Sequence, residues 1–182
     1  MLAAASELFY ARGIAAVGVE AVAERAGVTK KTLYDRFGSK ERLVVEYLVD
    51  RDQQWRLLLD QRLNGAGTAP ADRLAALFDT SQEWARARAW KGCAMINAHA
   101  EISDPAHPAY AVIVGQKRWM LSLLRELAVA VGSPVPDDVA AELMLVHEGV
   151  LAAGGIGVPE DAFARGRDAA VRMLTRAATT AS

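Results

Sequence analysis

The sequence has a single cysteine, Cys93, in 182 residues, so it can close no internal disulfide and cannot supply a multi-thiolate metal site. Nothing in it approaches about 18 uninterrupted apolar residues, so no membrane span is predicted. Charge of one sign is not in excess: 21 basic side chains stand against 22 acidic ones, for a net charge of −1. The field of the whole molecule therefore does not announce a nucleic-acid partner, and any such affinity must come from a local patch. No Gly-rich phosphate loop, HExxH pattern, Cys–His arrangement or carboxylate pair is present. His99 and Glu101 are only two residues apart, on different sides of a helix. These absences argue against an enzyme and imply no cofactor and no metal. The N-terminal run MLAAASELFYARG lacks a basic leader and reads as an amphipathic helix rather than a signal peptide.

What is present is helical. Hydrophobic residues make up 52% of the chain and charged ones 24%, and arginine outnumbers lysine 16 to 5, as in a GC-rich bacterial gene. Apolar positions recur with helical spacing and strand alternation is nearly absent. The pattern predicts an all-α chain of about nine helices: Leu2–Arg12, Val19–Arg25, Thr29–Arg36, a long helix capped by Ser39 and ending near Leu63, then Ala71–Arg88, Cys93–Ile102, Ala109–Val131, Asp137–Ala153 and Glu160–Ala178. The first of these starts uncapped at the first residue, and we expect the native chain to carry a few residues before it.

The informative stretch is VEAVAERAGVTKKTLYDRF, residues 19 to 37. Ala23 is small where one short helix must approach the next, and Gly27 sits at the turn, where a positive φ is cheap only without a Cβ. Val22, Ala26, Val28 and Leu33 supply an apolar seam. Short helix, Gly-containing turn and second helix describe a helix-turn-helix. On a wheel of the second helix, Leu33 and Phe37 point together toward a core. Lys31, Thr32, Tyr34 and Asp35 lie opposite, with Thr29 and Lys30 at the exposed first turn. Such a helix can lie in the major groove of DNA. Charge is concentrated there as well. From Val28 to Arg42 there are five basic residues (Lys30, Lys31, Arg36, Lys40, Arg42) and two acidic ones (Asp35, Glu41). A solvated basic face on an ordinary hairpin would show less of this pattern.

Phe9, Gly13, the run Val22–Thr29, Thr32-Leu33-Tyr34, Phe37 and Ser39-Lys40-Glu41 together resemble the N-terminal signature of the TetR family of transcriptional regulators, over roughly the first 48 residues. The resemblance implies a cytoplasmic homodimer, its two recognition helices in successive major grooves of a near-palindromic double-stranded operator, with repression relieved by a small ligand. Carried over by position, Thr29, Lys30, Lys31, Thr32 and Tyr34 would meet bases and nearby phosphates, and Arg36 and Lys40 would hold phosphates. Three positions depart from the family pattern. Val17 and Gly18 stand where Thr and Ser are common, so a hydroxyl cap is lost. Lys31 replaces a common Gly. Asp35 is unusual on a DNA-facing surface and is expected to pair with Lys31 one turn earlier, the alternative being to accept from a cytosine amino group.

Residues 1–47 are thus read as the DNA-binding domain and 48–182 as a helical ligand-binding and dimerisation domain. The helix Asp137–Ala153 is apolar on all sides: Val139, Leu143, Val146 and Val150 form one stripe, Met144 and Leu151 another, Leu145 and Ala152 a third. One face can pack on its own domain and the other needs a partner. Gly149, Ala152 and Ala153, with Ala170 and Leu174 on the last helix, are assigned to a four-helix dimer interface. A fully enclosed core helix is the alternative. Phe78, Trp84, Met95, Trp119, Met120, Leu123, Met144 and Leu151 are candidate walls of a site for a small apolar or aromatic effector, with His99, His147, Asn97 and Glu148 as polar contacts. His147 is the first choice among them, since its neighbours are apolar. Cys93 reads as a small buried hydrophobe before it reads as a redox sensor. A DNA-binding co-regulator or architectural protein without an effector is the second functional reading.

Overall fold

The computed structural model describes residues 1–88, 91–102 and 104–179. Among these the chain is all-α, with nine helices: α1 Leu2–Arg12, α2 Val19–Arg25, α3 Lys30–Phe37, α4 Lys40–Gly65, α5 Pro70–Arg86, α6 Ala94–Glu101, α7 Pro108–Ala130, α8 Pro136–Ile156 and α9 Ala162–Thr179. Every predicted helix is found, with ends shifted by at most three residues. The larger shift is at the end of α8. It continues through Gly154-Gly155 to Ile156 and ends on Gly157, whose φ of 79° and ψ of 15° are those of a left-handed terminator.

The residues divide into two compact units. One comprises Met1–Gln54 with Ala94–Gln116, the other Trp55–Cys93 with Lys117–Ser182. In the first, Ala5, Leu8 and Phe9 of α1, Val22 and Ala23 of α2, Leu33 and Phe37 of α3, and Leu43, Val44, Tyr47 and Leu48 of α4 are buried. The Phe9 and Tyr47 rings meet edge to face at 5.6 Å, which joins α1 to α4. At the end of α6, Glu101 accepts a hydrogen bond of 2.6 Å from the Ala15 backbone N–H, tying α6 to the turn between α1 and α2.

In the second unit α9 packs against both α5 and α8. Leu74, Leu77, Phe78, Leu124, Leu143, Ala170 and Leu174 are fully buried in its core. Trp55 and Trp84 stack edge to face at 5.6 Å. The α8–α9 crossing depends on two glycines that the sequence did not single out, Gly154 and Gly166. A Cβ on Gly154 would overlap the Phe163 ring, and one on Gly166 would overlap Val150. By length and composition α8 could cross a bilayer. Its Leu143, His147 and Val150 are instead buried in this core, while Leu145 and Ile156 on its other side are 74% and 77% exposed.

Candidate nucleic-acid interface and candidate effector site

α2 ends in a Schellman arrangement. The Val28 N–H bonds the Ala23 carbonyl and the Gly27 N–H bonds that of Glu24, each at 3.0 Å, with Gly27 at a φ of 66°. This closes three residues of turn and starts α3 at once. Thr29 is the N-cap of α3: its hydroxyl oxygen accepts the Thr32 N–H at 3.1 Å. Ser39 caps α4 the same way, accepting from the Arg42 N–H at 3.1 Å. Gly18, at the head of α2, offers no side-chain cap, as expected from the missing hydroxyl.

With both ends fixed, Leu33 and Phe37 anchor α3 from behind, and Thr29, Lys30, Lys31, Thr32, Tyr34, Asp35 and Arg36 are all exposed. Lys40, the first residue of α4, is half-buried. The cationic face is therefore open. Lys31 donates to Asp35 at 2.8 Å, the expected one-turn pair. Lys30 is paired with Glu20 of α2 and its ammonium lies 5.8 Å from the centre of the Tyr34 ring. Hydrogen bonding to that carboxylate raises the Lys30 pKa, and the same bond lowers that of Glu20. Neither the Glu20 partner nor the capping role of Thr29 was anticipated. The cap was readable from Thr at the position before a helical run; the Glu20 pair depends on turn geometry.

The remaining candidates fall into two groups. Phe78, Trp84, Trp119, Leu123 and Met144 all belong to or pack on the core of the second unit. His147 is buried there as well, 3% exposed, with its ring edge-on to Phe78 at 5.5 Å. Met95 and His99 are in the first unit, where Met95 is buried and His99 is exposed beside the Tyr110 ring at 5.7 Å. Around His147 the structure assembles a polar cluster. The Ser81 hydroxyl is 2.8 Å from His147 Nε2 and also donates to the Leu77 carbonyl at 2.8 Å. Lys117 donates to Glu148 Oε1 at 2.6 Å and to Cys93 Sγ at 3.0 Å. Burial works against the Lys117 charge, but Cys93 and Glu148 outweigh it and its pKa is raised. Cys93 is thus a half-buried partner of a cation rather than a small hydrophobe in a core.

The proposed dimer residues also separate. Gly149 and Ala152 are exposed on α8, in line with Leu145 and Ile156, and Ala153 is half-buried. Ala170 and Leu174 are fully buried in this chain's own core and offer no surface to a second copy. Their apolar stripe is the one that α9 turns toward α5 and α8.

An exposed cationic helix, capped, anchored and presented by a Gly-turn, defines a helix-turn-helix DNA-binding protein. Residues 1–47 match the family model for bacterial regulatory proteins of the tetR family. A TetR-family transcriptional regulator from Streptomyces coelicolor superposes with a TM-score of 0.87 at 30% identity, covering 96% of this chain and 93% of that one. The HTH-type transcriptional regulator YjdC of Escherichia coli is 29% identical over 157 residues, 83% of this chain and 79% of that protein. The regulatory protein TetR from Rhodobacter sphaeroides, at 22% identity, shares the fold with a TM-score of 0.80, covering 94% and 95% of the two chains. The chain belongs to the TetR family and is a DNA-binding transcriptional regulator.

Proposed function

We propose that the protein acts in the cytoplasm as a homodimeric repressor, released from a near-palindromic operator by a small apolar or aromatic ligand held in the second unit. The open cationic face of α3 carries the DNA part of this reading. Thr29, Lys31, Thr32 and Tyr34 read base edges, while Lys30, Arg36 and Lys40 hold phosphates, the last with the dipole of the α4 N-terminus behind it. The line Leu145, Gly149, Ala152, Ile156 supports the dimer: an exposed apolar stripe on a long helix is what an isologous contact covers. The aromatic residues gathered with His147 support the effector site. A ligand there acts by binding one of two dimer states better, a coupling of typically about 1–3 kcal/mol.

Selection of bound sequences from random DNA by the purified protein tests this. A palindrome with one half-site spacing is the expected product; DNA without dyad symmetry would remove the homodimeric operator reading. Replacing Leu145 by Glu is expected to give monomers that have lost operator affinity, read by sedimentation and gel shift.

A further inference from the structure

The polar cluster in the second unit has a definite hydrogen-bonding sense. Ser81 has one hydroxyl proton, and it goes to the Leu77 carbonyl, which can only accept. Toward His147 the hydroxyl therefore accepts, at 2.8 Å, so the proton of the neutral imidazole is on Nε2. His147 Nδ1 is then a bare lone pair. It is buried, and no donor among the described residues reaches it. Glu148 is in the same condition. Its Oε1 takes the Lys117 ammonium at 2.6 Å, whereas Oε2 is buried with no partner among the described residues. Nδ1 lies 4.0 Å from Oε1 of the neighbouring residue. Two buried acceptors on successive residues of α8 are thus without a donor among the described residues, in the unit whose core includes Phe78, with Trp84 and Trp119 packed on it.

We infer that the effector's polar end is a neutral hydrogen-bond donor, an alcohol or phenol on an apolar body, received by His147 Nδ1. This rests on the reading of the second unit as the effector site. A carboxylate or a carbonyl would meet that acceptor with another acceptor. A cation would stand beside Lys117, which already neutralises Glu148. A hydroxyl gives its proton to one acceptor and adds no charge. Nδ1 is covered by the protein, so the ligand displaces side chains as it enters.

The test uses three molecules with one body: naphthalene, 2-naphthol and 2-naphthoate. Calorimetry on the full chain is expected to show 2-naphthol binding at least tenfold tighter than naphthalene, and 2-naphthoate weaker than either. In His147→Phe the naphthol preference is expected to fall to within about threefold of naphthalene. Because that variant also loses the Ser81 contact, nitrogen NMR of the wild-type imidazoles supplies an independent readout. There are three histidines in the chain. His147 is expected as the Nε2–H tautomer, with Nδ1 shifting on addition of 2-naphthol. Binding of 2-naphthoate as tight as 2-naphthol, or an Nδ1–H tautomer, overturns the donor assignment and leaves the effector site standing. If none of the three binds or releases operator DNA, both readings fall.

Discussion

Gly166 of α9 faces Val150 of α8 so closely that a Cβ at position 166 would overlap the Val150 γ2 methyl, with Phe78 Cε1 another 3.6 Å away. Val150 is buried and, being branched at Cβ, has little freedom to turn aside. Alanine in a helix interior is favoured over glycine by roughly 0.5–1 kcal/mol, whereas overpacking a filled core costs typically about 1–3 kcal/mol. The second effect is the larger. Gly166→Ala is expected to lose about 1 kcal/mol in urea unfolding; a variant as stable as wild type would show that α9 can back away.

On the cationic face, Glu20 holds the Lys30 ammonium that the proposed reading gives to a phosphate. Glu20→Gln is expected to tighten binding to any DNA sequence at low salt and to steepen its salt dependence by up to about one unit. Gel shifts at four salt concentrations check this. An unchanged slope would place Lys30 away from the phosphates.

Lys40 opens α4 and is half-buried at that helix N-terminus. Lys40→Ala is expected to weaken binding to operator and non-operator DNA alike, lowering the salt slope by about one unit. Loss of discrimination between the two, with the slope kept, would instead make Lys40 a base reader.

Thr29 caps the recognition helix through its hydroxyl. Thr29→Ala is expected to cost about 1 kcal/mol of stability and to lower operator affinity, and Thr29→Ser to keep most of both. Should the serine variant match alanine in affinity while keeping its stability, the methyl rather than the cap serves the DNA contact.

His147 titrates in the direction opposite to a surface histidine paired with an acid. Burial lowers its pKa from 6.5 to about 4, with the Glu148 charge opposing and the Lys117 charge adding to the shift. As pH falls through 6.5 the unfolded chain takes up a proton that the folded protein refuses until about 4. The contribution is complete above 6.5, declines by ~3 kcal/mol across that window and is flat below it. Between pH 7 and pH 5, wild type is expected to lose about 2 kcal/mol more than His147→Phe in chemical unfolding. Equal losses would mean that the imidazole is already hydrated in the folded state.

The helices, the recognition face and the family were legible in the chain itself because each is a local property. A 3.6-residue period, a glycine at a helix end and a threonine before a helical run act through neighbours a few residues away, and Lys31 with Asp35 is such a pair. Apolar periodicity tells that a face is covered but not by what. For that reason Ala170 and Leu174 were assigned to a second copy when α5 and α8 of the same chain cover them. His99 was likewise grouped with residues that belong to the other unit.

Only the tertiary structure brought Ser81, Cys93, Lys117, His147 and Glu148 together, from a core helix, a connecting strap and two further helices. It likewise decided that Gly154 and Gly166 are where α8 and α9 touch. Hydrogen-bond sense and close approach depend on distances between segments remote in sequence, and no spacing along the chain encodes them.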